Sequence, residues 1–87
     1  MAWRAELSPR AVKQLSKLDK PTARRIIDYL RETASGEDPR SRGKGLTGNL
    51  AGFWRYRVGN YRIIASIEDD ELLILAIHID HRSRIYR

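Results

Sequence analysis

Hydrophobic positions recur first every second residue, then at helical spacing, then every second residue again. Trp3, Ala5 and Leu7 alternate with Arg4 and Glu6, the pattern of a short strand with one covered face. Ser8-Pro9 joins a helix N-cap to a proline at the first helical position, and Val12, Leu15 and Leu18 follow at helical spacing, which predicts a helix over Pro9–Leu18. Asp19-Lys20-Pro21 ends that helix and starts a second. Its apolar stripe is Ala23, Ile26, Ile27, Leu30 and Ala34, and its other side carries Arg24, Arg25, Asp28, Arg31 and Glu32. Gly36 is the expected stop, and the two helices should pack as an antiparallel hairpin. The segment EDPRSRGKG, Glu37 to Gly45, reads as a basic loop, rich in proline, glycine, serine and charge.

Alternation returns at Gly52–Ile64, GFWRYRVGNYRII. Phe53–Val58 and the run from Tyr61 read as a hairpin, with Gly59-Asn60 supplying two turn residues that tolerate positive φ. A two-residue turn places Val58 opposite Tyr61, Arg57 opposite Arg62, Tyr56 opposite Ile63 and Trp54 opposite Ala65. One face then collects Trp54, Tyr56, Val58, Tyr61, Ile63 and Ala65, which read as core; the other collects Arg55, Arg57, Arg62 and Ile64. Glu68–Glu71 reads as an acidic turn, Leu72–Ile79 as a central strand buried on both faces, and Asp80–Arg87 as a polar tail. The elements predict an α+β domain. A four-stranded antiparallel sheet, its N-terminal strand at one edge and the last three strands a meander, carries the helical hairpin on one face. The opposite face stays open, and it holds the arginines.

That placement is a physical anomaly. Like charges in cross-strand register cost roughly 0.2–1 kcal/mol per pair, so stability alone gives no reason for Arg57 opposite Arg62 with Arg55 beside them. A polyanion offsets the repulsion, which makes the open face a phosphate-site candidate. Composition agrees: the 87-residue chain has a formal net charge of +6 and a pI near 10.2, a balance suited to nucleic acid, a ribosome or an acidic protein. With 41% apolar residues the chain should fold as one domain over residues 1–87, and without cysteine it has neither disulfides nor cysteine-held zinc. No apolar run reads as a signal peptide or a membrane span, and a cytoplasmic location is expected.

His78 and His81 fall on opposite faces of a strand, so a metal site is not expected, and Gly43, Gly45 and Gly48 lack the strand–loop–helix context of a phosphate-binding loop. The remaining inventory is arginines with a tyrosine and histidines. RNA carries its own nucleophile, the 2′-hydroxyl. Orienting it in line and stabilising the phosphorane needs cations and modest acid–base help. Such a set could support metal-independent, cofactor-free RNA cleavage to a 2′,3′-cyclic phosphate.

The segments LSPRAVKQLSKLDKP, RRIIDYL, GFWRYRVGNYRII and HRSRIYR together resemble the RelE/ParE superfamily, the toxins of type II toxin–antitoxin pairs, in its RelE-like branch, over essentially the whole chain. The resemblance implies a toxin that enters the ribosomal A site, cuts mRNA and is blocked by a tightly bound antitoxin in a hetero-oligomer. It implies basic residues at Arg55 and Arg57, an arginine opening the next strand at Arg62, and a C-terminal arginine and tyrosine at Arg82 and Tyr86. The best-known RelE toxin has lysines where this chain has Arg55 and Arg57, and a base role for lysine does not transfer to arginine. Catalytic candidates are therefore Arg57, Arg62 and Arg82 on the phosphate, with Tyr86, or alternatively His81, for proton transfer. Arg55 and Lys44 are the substrate-binding candidates. The rival functions are a ParE-like gyrase inhibitor and a non-catalytic basic binding module on the same fold.

Overall fold

Capping chemistry sets the helix ends. The Ser8 hydroxyl accepts from the Ala11 N–H, and the Asp19 carboxylate accepts from the Thr22 N–H. The computed structural model describes residues 3–81, in which these caps open α1 (Pro9–Ser16) and α2 (Lys20–Ser35). The strands are β1 (Arg4–Leu7), β2 (Lys44–Gly45), β3 (Trp54–Val58), β4 (Tyr61–Glu68) and β5 (Leu73–His81). They form one sheet in the order β1-β5-β4-β3-β2. Ala11, Leu15, Ile26, Leu30 and Ala34 of the helices meet Tyr56, Val58, Ile63, Ala65, Ile74, Ala76 and Ile79 of the sheet in one core. No helix among the described residues is long and apolar enough to cross a membrane.

The α+β class and the helix-covered face are as expected, and the hairpin register is the expected one at every pair. Three details differ. The sheet has five strands rather than four, because Lys44 and Gly45 pair with Arg55 and Trp54. It is mixed rather than antiparallel, because β1 runs parallel to β5. Those two strands are joined through nearly the whole chain, so no short turn dictates their direction. The hairpin turn uses positive φ at Gly59 alone, at 57°, the pattern of a type II′ turn with glycine at its first central position.

Tyr56 ties the basic loop to the sheet. Its ring is fully buried, edge-on to Tyr29 at 5.8 Å, and its hydroxyl donates to the Pro39 carbonyl at 2.7 Å. Beside it, Trp54 Nε1 donates to the Arg42 carbonyl. Gly43, at φ 75°, passes so close that a Cβ would lie 2.2 Å from the Arg55 carbonyl oxygen, so only glycine fits this crossing. Burial pushes the Tyr56 phenol from 10.0 up to about 12, with Tyr29 adding in the same direction. The folded chain therefore holds this proton more tightly than the unfolded chain. That contribution is complete below about pH 10 and is lost as pH rises towards 12, on the order of 2–3 kcal/mol. In urea unfolding, wild type should lose this increment relative to Tyr56→Phe between about pH 9.5 and 12, although the variant starts about 1–2 kcal/mol less stable because the Pro39 carbonyl loses its donor. Parallel pH profiles for the two proteins would remove Tyr56 as the source.

Candidate functional site

The sheet's open face is built from cross-strand rows. One row runs Arg57, Arg62, Asp80 across β3, β4 and β5; the next runs Lys44, Arg55, Ile64, His78 across β2 to β5. Strand alternation sends the cationic side chains of these rows away from the core, since their neighbours Tyr56, Val58, Ile63 and Ile79 point into it, while His78 at the margin of the sheet meets Gln14 of α1. Four cations thus share two adjacent rows with one carboxylate. Arg55, Arg57 and Lys44 make no ion pair among the described residues, and Arg55 Nε has no hydrogen-bond partner there. The arrangement is a field of guanidinium and ammonium donors with the geometry to take phosphate oxygens.

The structure brings Arg55, Arg57, Arg62 and Lys44 together, as the alternation predicts for the arginines. It does not bring His81 to them. His81 pairs with Tyr61, their rings meeting edge-on at 5.1 Å on the helix side of the sheet, so the sheet separates its imidazole from the arginines. Arg82 and Tyr86 lie outside the described residues. The other loop cations point elsewhere. Arg40 forms a bidentate pair with Asp69, which holds that carboxyl below its usual range. Arg42 reaches Glu32 and stacks over the Tyr29 ring at 4.8 Å.

His78 and Asp80 are the residues on this face that sequence reasoning missed. The polar character of Asp80 and His81 argued for a tail, yet pairing with Arg62 and Tyr61 extends β5 through both. Position 78 follows a bulge. Ala65 pairs with Ala76 while Ile64 pairs with His78, leaving Ile77 as the extra residue. Past this point α1 takes the place of β1 beside β5: Ser8 N–H donates to the Ala76 carbonyl, and Gln14 Oε1 accepts from the Ile79 N–H. That second bond fixes the amide, so Gln14 Nε2 is the donor to His78 Nδ1 at 3.1 Å. The neutral ring then carries its proton on Nε2, 3.6 Å from Asp80 Oδ2. The signal available in the sequence was the spacing of His78 and Asp80, two apart on one strand. Among the described residues no three His, Asp or Glu side chains converge as a metal site would require.

Residues 5–86 match the family described as ParE toxin of type II toxin-antitoxin system, parDE. A curated relative, Toxin RelG of Mycobacterium tuberculosis, is 36% identical over 66 residues, spanning 72% of this chain and 76% of the relative. Among solved structures, the toxin–antitoxin complex RelBE2 from Mycobacterium tuberculosis superposes with a TM-score of 0.85 at 24% identity, covering 95% of this chain and 94% of that one. The archaeal RelE–RelB complex from Pyrococcus horikoshii OT3 gives 0.74 at 27% identity, covering 97% and 99%. A mutant of E. coli toxin RelE in the free state gives 0.77 at 21% identity, covering 99% and 92%.

Proposed function

The chain belongs to the ParE toxin family of type II toxin–antitoxin systems, within the RelE/ParE superfamily, and from that premise we propose that it is a RelE-like endoribonuclease that cuts mRNA on the ribosome. The observation that carries this reading is the pair of rows Arg57–Arg62 and Lys44–Arg55 on the face the helices leave open. In the proposed reaction the 2′-oxygen attacks phosphorus and the 5′-oxygen leaves. The products are a 2′,3′-cyclic phosphate and a 5′-hydroxyl. Arg57, Arg62 and Arg82 take the charge that grows on the non-bridging oxygens, and Arg55 with Lys44 holds flanking phosphates. Tyr86 takes the proton leaving the 2′-hydroxyl, and the departing 5′-oxygen takes one up from Tyr86 or solvent as the 5′-hydroxyl forms. His81 is the alternative for that role, and its ring contact with Tyr61, on the side of the sheet away from Arg55, Arg57 and Arg62, favours Tyr86 over it.

The family description names a ParE toxin, and the second reading is a ParE-like gyrase inhibitor. Controlled expression separates the two. The ribonuclease predicts rapid arrest of protein synthesis with new 5′-hydroxyl ends inside coding mRNA and intact DNA. Double-strand DNA breaks with intact message would establish the second reading instead.

The proposed neutralising partner is an acidic antitoxin, supported by the toxin–antitoxin complexes among the solved relatives. Its apolar contacts fit a groove of about 480 Å³ between β1, α1 and α2, where Val12 is 52% exposed beside Ile27 and Leu30, with Arg31 at the rim. Electrostatic steering of an acidic chain to a +6 protein should make association at least roughly tenfold slower at about 0.5 M than at about 0.05 M salt. Stopped-flow mixing checks this, and a rate indifferent to salt would mean that the partner is not acidic.

A further inference from the structure

Beside the cationic rows the open face sinks into an apolar trough of about 570 Å³, and we propose that it is a subsite for one unpaired nucleobase of the RNA strand held by Arg55 and Arg62. The inference rests on the ribonuclease reading above and adds to it a second, uncharged contact. Leu50, Phe53, Ile64 and Ile77 supply its apolar lining, with Arg10 and His78 beside them. Ile64 and His78 also belong to the row that contains Arg55, so the trough and the phosphate-binding face share a border. Phe53 lies immediately before β3 and two residues ahead of Arg55, on the order of 7 Å away along extended backbone. That is the scale of the step from a phosphate to its own base. Leu50 is a large apolar side chain left 44% exposed, a cost that an occupant would relieve.

A cationic track with an aromatic ring at its side is the arrangement by which proteins hold single strands, because every base has a π-face to lay against the ring. A peptide fits less well. The trough lies over β3, β4 and β5, and where β1 ends beside β5 the Ile77 carbonyl and the Ile79 N–H are already bonded to Ser8 and Gln14, so a peptide backbone finds no ready strand edge there. The rim hydroxyl of Ser8 is already committed, donating to the Ile77 carbonyl and accepting from the Ala11 N–H.

The test is equilibrium binding, by fluorescence anisotropy at low salt, of a short single-stranded RNA and of the same backbone with abasic riboses. Wild type should bind the base-bearing strand about 5- to 100-fold more tightly. Phe53→Ala should erase most of that preference and leave abasic binding in place. Leu50→Ser, at a more exposed position, should reduce the preference if Phe53→Ala does not fold. Arg55→Ala should weaken both strands. Equal binding of the two strands by wild type overturns the subsite while leaving the phosphate face intact, and so does a preference that survives both trough variants. Binding of neither strand fails the RNA reading itself, and the subsite with it.

Discussion

Arg62→Ala is expected to slow mRNA cleavage on programmed ribosomes by about 10²–10³, the effect of removing one donor from a developing oxyanion. Arg57→Ala should slow cleavage alike and melt no lower than wild type. Arg57 faces Arg62 directly across the hairpin, and removing one member of a like-charged pair relieves roughly 0.2–1 kcal/mol. Arg62 also faces Asp80, so Arg62→Ala trades that relief against a lost opposite-charge neighbour and should melt close to wild type. The combination of lost activity and unimpaired stability is the useful part, because a cation kept for folding would show the reverse. Single-turnover cleavage measured alongside thermal melts reads both quantities. Lysine at position 62 should recover only part of the rate, since an ammonium cannot grip two phosphate oxygens as a guanidinium fork does. Full activity in Arg62→Ala would take the arginine out of the phosphate site.

Tyr86→Phe is expected to lower the cleavage rate by about 10²–10⁴, the range for lost general acid–base help. Tyr86 lies outside the described residues, and its role rests on the family resemblance of HRSRIYR. The substitution removes a hydroxyl and no charge, so ribosome binding should survive. Binding and cleavage must therefore be measured together. Loss of both would make Tyr86 a docking residue; wild-type cleavage would remove it from the mechanism. His81→Ala is the matching control. With its ring on the helix side against Tyr61, its loss should leave the cleavage step near the wild-type rate, and a fall as large as that of Tyr86→Phe would restore His81 to the chemistry.

How the chain folds was legible wherever neighbours in sequence are neighbours in space. Ser8 and Asp19 cap their own helices within three residues. The register of β3 on β4 follows from one turn and a period of two, since a slip of one residue would drive Arg55 and Arg57 into the core. The same local rule put Arg55, Arg57 and Arg62 on one face, so the cationic half of the candidate site could be read from the hairpin.

The rest depended on partners distant in sequence. Lys44-Gly45 has no strand propensity of its own. It pairs because Trp54 and Tyr56 reach back to the Arg42 and Pro39 carbonyls and hold the loop against the edge of β3. Asp80 and His81 look like a polar tail until β4 offers them a ladder. His78 and the trough beside it exist because β1 ends at Leu7 and α1 takes its place along β5, where Gln14 grips the backbone just past the bulge. Local pattern sets which face of a strand a residue occupies, because that choice repeats every two residues. Which strand lies beside it, and where a bulge shifts the count, is set by packing between segments that the local pattern does not link, from Lys44 on Arg55 to Gln14 on Ile79.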